Sequence, residues 1–488
     1  MNKTYLFYDI ETTGLNKAFD QILQFAAIRT DRQLNEIERY TLAVKLRPDV
    51  IPSPGAIITN RLSISDLASG LCEFEAIRQI HELMNQRQTI SLGYNSLGFD
   101  DEFLRFSFHR NLLPPYTHQF KNGCRRVDLL PVAVMFWLYK RDAISWPRIH
   151  SKPSLKLEHI REANQLASGP AHDASVDVSA TVELARRFLK NRKMWNYLMG
   201  YFEKETDAQR IADIPAAFQS ALGGHRMALM VSSEFGPQQK YQIPVLSIGN
   251  SIPYPNQTLW LRLDLPELRK TKADAIDEFT WVVRKRYGEP AILLPPNRRY
   301  LKFLGDGRKA VVAENLNWLQ SNPSKLQQIV SYYREYRYPF IPNLDPDAAL
   351  YQLGFFTRSD EKLFREFHVA PLDEKENIAR RFKSQDAREL AVRLLCRNYP
   401  QRISSDLAGE FEAYLRRINP IRKDEAIVDY RGEPRMTPSA ALAQIRQLKK
   451  SGKIDNNQMK LLDGLQNYIK SNFPKHTSGS QLSIGDQF

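Results

Sequence analysis

The sequence predicts an α/β domain, then a smaller β-rich domain, then an α-helical C-terminal domain. Three observations carry this. The first 192 residues alternate short apolar runs with amphipathic stretches. From about residue 226 the pattern shifts to short alternating runs, ALMVSSEF, YQIPVLSIG and TLWLRLDL, broken by GPQQ, GNSIPYPN and PPNRR. A cluster of Pro339, Pro342 and Pro346 then marks a linker, beyond which residues 347–472 keep helical periodicity almost throughout. The expected domains are 1–192, 194–343 and 345–475, with 476–488 a polar, disordered tail.

Within the first domain, residues 3–10, 22–30 (ILQFAAIRT) and 40–47 (YTLAVKLR) read as three successive strands. A helix over 75–86 and a strand over 88–94 follow. Further helices are expected at 101–112, 128–140, 154–164 and 174–192, the last facing the core with Val178, Thr181, Leu184 and Phe188. Residues 194–215 also read as helical. The longest apolar run, LLPVAVMFWLY at 129–139, is too short to span a bilayer and contains Pro131, so it reads as a buried helix.

At 488 residues the chain exceeds what one core supports. Lys and Arg outnumber Asp and Glu by 69 to 55, a net charge of +14 that favours a polyanionic partner such as nucleic acid. The three cysteines, Cys72, Cys124 and Cys396, form no CxxC pair, which fits a reducing compartment and argues against a structural zinc site. Asp9 and Glu11 interrupt any apolar core of a signal peptide, so a cytoplasmic protein is expected, and nothing suggests a dimerisation helix.

The chemistry begins at YDIET, residues 8–12. Asp9 and Glu11, two apart on an apolar strand, point to one face, where burying both costs several kcal/mol per ion unless a cation pairs with them. Two segments supply further acids. LGYNSLGFDDEFLR places Asp100 where a helix begins after a tight turn, and AHDASVDVSATVELARRFL places His172 in a loop and Asp177 in the first turns of a helix capped by Asp173. Singly, each has an ordinary reading: Asp9 as a turn or cap, Asp100 as a helix N-terminus, His172 as a loop histidine. In combination, four carboxylates from a strand and two helices make a hard-oxygen site suited to Mg²⁺ or Mn²⁺. Two ions about 3.5 to 4 Å apart would offset the repulsion and clamp a phosphodiester. A histidine could then take the proton of the attacking water near neutral pH.

YDIETTGL, GYNSLGFDDE and AHDASVDVSAT resemble the three motifs of the DEDD exonuclease superfamily, in the subclass with a histidine in the third motif. QFAAIRTD, PSPGAIITN, PSLKLEHIREAN and DAALYQLGFF are similar more narrowly to the bacterial exodeoxyribonuclease I family, over residues 3 to about 472. The resemblance implies a ribonuclease H-like exonuclease domain, an SH3-like domain and a helical domain. The activity implied is 3′ to 5′ degradation of single-stranded DNA to nucleoside 5′-monophosphates, serving DNA repair and recombination. It makes Asp9, Glu11, Asp100 and Asp177 the ligands of two Mg²⁺ ions, with Mn²⁺ as the alternative, and His172 the general base. Glu11 and Lys156 fall at substrate-binding positions, Lys156 where relatives carry arginine. Arg105, Tyr116 and Phe120 fall along the strand's path. The implied partner is the acidic tail of single-strand DNA-binding protein, and QLSIGDQF resembles a sliding-clamp peptide with anchors Gln481, Leu482 and Phe488. Two other readings stand beside this one: an RNA-trimming or proofreading nuclease of the superfamily, and a non-catalytic single-strand-binding scaffold.

Overall fold

The computed structural model describes residues 3–169 and 173–474. Its first domain is built on a five-stranded sheet of β1 (Thr4–Thr12), β2 (Ile22–Thr30), β3 (Glu36–Ala43), β4 (Thr89–Gly93) and β5 (Arg125–Asp128), in the order β3-β2-β1-β4-β5. β1 to β3 are antiparallel, while β4 runs parallel to both β1 and β5. Alternation along β1 sends Leu6, Tyr8 and Ile10 into a core with the helices Glu73–Asn85 and Asp100–Arg110. Phe7 faces the opposite core, made with Leu129–Tyr139 and Ala174–Leu189. Asp9 and Glu11 therefore share the face of Phe7, toward the helix that carries Asp177. Val178, Thr181, Leu184 and Phe188 of that helix are buried as its periodicity requires.

β3 lies four residues earlier than its apolar run at 40–47 indicated. The turn before it sets the register: the Asp31 carboxylate accepts the backbone N–H groups of Gln33 and Asn35, both at 2.8 Å, and pairing starts immediately at Thr30–Glu36. As an edge strand with most side chains in water, β3 tolerates the polar sequence EIERY.

The middle domain is a six-stranded antiparallel sheet spanning Ala216–Ser220 to Ile292–Leu294. It is not purely β-rich, however. Two helices, Asp306–Ser321 and Pro323–Glu335, cover one face of the sheet and bury Val312, Leu319, Leu326, Ile329 and Val330 against Leu246, Leu259 and Leu261. Their apolar positions recur at helical spacing, a signal hidden by the neighbouring charged and aromatic residues.

The C-terminal region is helical, as expected, and packs on the first domain in two places. Helices Arg358–Val369 to Ser405–Ile418 enclose Phe74 and Leu112. Helices Pro438–Lys450 and Asn456–Asn472 enclose Leu23, Ile51, Ile57 and Leu67. Between the two lies a buried ionic network. Arg397 pairs with Asp347 and, at 2.9 Å, with Asp49 of the first domain, and also donates to the Tyr414 hydroxyl. Arg47 holds Asp49 at 3.1 Å and Glu73 at 2.8 Å. Among the described residues, no helix is long and apolar enough to cross a membrane.

Candidate active site

β1 ends where its sequence turns polar. Thr12 Oγ1 donates to the Gly14 carbonyl at 2.7 Å, and Thr13 Oγ1 to Asp20 at 2.8 Å, which folds ETTGL back from the sheet. A Cβ on Gly14 would lie 2.3 Å from an Asp20 oxygen, so any larger residue would have to displace the carboxylate that Thr13 and Asn16 hold. The turn leaves Glu11 at the open end of the strand.

Asp9, Glu11 and Asp177 each offer a carboxylate oxygen, and these oxygens all lie within 4.8 Å of one another. Asp177 comes from the first turn of a helix whose start is fixed by Asp173, whose carboxylate accepts the N–H of Ser175 at 2.9 Å. Asp100 approaches from the other side of β1 as the first residue of its helix, and the backbone N–H of Ile10 donates to its carboxyl. The GYN turn aims that helix. Asn95 takes the left-handed conformation, φ 63°, and Asp128 accepts the N–H groups of Asn95 at 2.9 Å and Leu97 at 3.1 Å.

The electrostatics of this cluster are one-sided. Desolvation, then Asp100 and Asp177, push the Asp9 carboxyl well above the carboxylate range. Desolvation, then Asp9, Asp177 and Asp173, push Glu11 up to about 9. Asp100 is raised as well, chiefly by burial. Every leading influence on Asp9 and Glu11 disfavours their negative charge, so the cluster has the oxygen donor set and the mutual repulsion that a hard cation would offset.

Beside Asp177 opens a cavity of about 520 Å³, within the range of small-molecule sites. Its walls are Tyr94, Leu130, Pro153, Leu155 and, from the middle domain, Tyr241. Two tyrosines pin its rim: Tyr94 donates to the Leu155 carbonyl, and Tyr241 to the Pro153 carbonyl at 3.2 Å. Lys156 stands exposed on this rim, 3.4 Å from Glu158. Tyr241 had no local motif to mark it, because a residue of the middle domain, far along the chain from the acids, reaches the cavity only through domain packing.

The other predicted residues separate. Arg105 is not turned toward a groove. It is buried, paired with Asp101 at 2.7 Å and set over the Tyr116 ring at 5.7 Å, so its charge is already matched inside the protein. Phe120 is 69% exposed and open to an incoming ring. His172 and the tail anchors Gln481, Leu482 and Phe488 lie outside the described residues.

Two family models match: Exonuclease over residues 6–185 and Exonuclease I C-terminal domain over 344–472. Exodeoxyribonuclease I of Escherichia coli (strain K12) is 30% identical over 380 residues, 73% of this chain and 77% of that protein. The chain belongs to the exodeoxyribonuclease I family. Exodeoxyribonuclease I of Haemophilus influenzae is 26% identical over 457 residues, 87% of this chain and 95% of that protein. The solved structure of Exonuclease I from Methylocaldum szegediense, 26% identical, superposes with a TM-score of 0.82 and covers 96% of this chain and 99% of its own. E. coli Exonuclease I in complex with a dT13 oligonucleotide shares the fold at a TM-score of 0.83 and 24% identity, covering 96% of this chain and 100% of its own. Family and fold agree on an exonuclease with a ribonuclease H-like first domain and a helical C-terminal domain.

Proposed function

We propose that this protein removes nucleoside 5′-monophosphates from the 3′ end of single-stranded DNA, in DNA repair and recombination. The carrying observation is the convergence of Asp9, Glu11 and Asp177 oxygens within 4.8 Å, beside a cavity large enough for a nucleotide. Asp9, Glu11, Asp100 and Asp177 would hold two Mg²⁺ ions, with Mn²⁺ as the alternative. Bound there, divalent ions supply Lewis acidity to the phosphodiester and neutralise charge that develops on its oxygens.

The chain's own groups do the rest. Glu11, at the open end of β1, faces the terminal nucleotide, whose base the apolar cavity walls suit. Lys156 meets a backbone phosphate as a point charge, without the fork that arginine would bring. We assign the proton of the attacking water to His172, five residues before Asp177 in the third motif. Upstream, exposed Phe120 and half-buried Tyr116, with Arg105 over one side of its ring, offer aromatic surface for sequence-tolerant stacking. Basic segments such as YYREYRYPF, with Arg284 4.5 Å over the Tyr336 ring, offer cations to the strand or to the acidic tail of single-strand DNA-binding protein.

Digestion of end-labelled single-stranded DNA, duplex DNA and RNA, with and without Mg²⁺, tests this reading. Metal-dependent loss of single-stranded DNA from its 3′ end is the expected result. Preference for RNA would favour a trimming nuclease, and binding without cleavage a scaffold.

Metal affinity should also depend on pH. Cations bind the deprotonated acids, and in the metal-free protein Glu11 keeps its proton up to about pH 9. Apparent Mg²⁺ affinity should therefore climb from pH 6 to pH 9, with protons released on binding. Calorimetry in two buffers of different ionisation enthalpy measures that release, and a flat profile contradicts the assignment.

A further inference from the structure

Next to Asp100, the helix carries a second acid that points elsewhere. Asp101 is fully buried and meets three donors from three places in the chain: Arg126 Nη1 of β5 at 2.6 Å, Arg105 Nη2 one helical turn on at 2.7 Å, and His118 Nε2 at 2.9 Å. Arg126 sends its other amino group to Glu289 of the middle domain at 2.9 Å. The segment around Glu289 is itself anchored. The buried Lys285 ammonium donates to the Glu289 carbonyl at 2.6 Å and to Asp207 at 2.7 Å, and Asp207 also accepts the Gly288 N–H at 2.9 Å. A continuous polar chain thus runs from the middle domain to the first turn of the Asp100 helix.

We propose that Asp101 is a positioning residue, which locks the start of its helix so that the neighbouring Asp100 carboxylate is held ready for a divalent ion. This rests on the reading of Asp100 as a metal-holding acid. Stability alone does not call for such a knot, because well-packed apolar residues of similar volume commonly do as well as a buried ion pair or better. What the knot supplies is direction. Its partners arrive from β5, from the segment Thr117–Gln119 and from the helix itself, so rotation or sliding of the helix start would break strong bonds in at least one direction. Oxygen ligands for small divalent ions need such fixed placement, and Mg²⁺ in particular tolerates little departure from octahedral geometry.

The test compares Asp101→Asn and Arg126→Ala with the parent protein and with Asp9→Asn. Mn²⁺ binding is followed by calorimetry or electron paramagnetic resonance, alongside melting temperature and the Mg²⁺ dependence of turnover. Asp101→Asn and Arg126→Ala should each weaken Mn²⁺ binding by about 10-fold or more, the range seen when groups supporting a ligand are removed. Turnover lost at limiting Mg²⁺ should return at saturating Mg²⁺, which a general loss of folding would not permit. Should Asp101→Asn fail to fold, Arg126→Ala, at a partly accessible site, decides. Lower melting temperatures with parent-like Mn²⁺ binding, while Asp9→Asn has lost its binding, overturn the positioning role alone. Parent-like binding by Asp9→Asn instead overturns the underlying reading of the metal site.

Discussion

Replacing Asp9 with Asn should lower turnover on single-stranded DNA by at least about 10³-fold, because a bound divalent ion supplies several kcal/mol of transition-state stabilisation. The same variant should melt at a higher temperature than the parent when both are free of metal. In the parent, burial and then the neighbouring Asp100 and Asp177 force Asp9 to take up a proton when the metal-free chain folds, and a neutral amide of the same shape avoids that cost. DNA affinity without metal should hold, since the amide matches the shape of a carboxyl that keeps its proton in the metal-free site. A site that gains stability as it loses activity is the mark of strained functional electrostatics. Single-turnover digestion and metal-free thermal melts measure the two halves. A variant that cleaves like the parent would remove Asp9 from the site.

The second large effect lies far from the chemistry. Arg397→Met should cost about 3–5 kcal/mol, the usual consequence of removing one partner from a buried charge pair. Both Asp49 and Asp347 lose their closest cation, and the Tyr414 hydroxyl loses a donor. Urea denaturation should show the transition midpoint falling, and a shift under about 1 kcal/mol would mean the network is redundant. The acid side has a definite sign. Although burial opposes the charge, Arg397 and Arg47 hold Asp49 down at about 2, below its ordinary value near 3.8. The stabilisation is therefore present above about pH 4 and fades as the pH falls through 2.

How much of this could be read from the sequence follows from physical range. Asp9 and Glu11 were legible because strand alternation is local, and Asp177 because a cap and helical spacing fix its face. The two helices at 306–335 escaped notice since charged and aromatic residues occupy the turns between their apolar positions. The burial of Arg105 was hidden for a different reason. A cation four residues past Asp101, in a helix that opens on three acids, looks solvent-facing, and only the approach of β5 and of the 117–119 segment shows that Asp101 is buried and claims it. Tyr241 was invisible to any local pattern, as its role arises from two domains meeting.

The way the C-terminal helices embrace the first domain limits how this protein can be shortened. A fragment ending near residue 192 would bare Leu23, Ile51, Ile57, Leu67, Phe74 and Leu112 to water at once and leave Asp49 without Arg397. Such a piece should clump during expression instead of behaving as a minimal nuclease. Trimming has to begin elsewhere, and any swap of the catalytic portion between relatives must carry its helical cradle along.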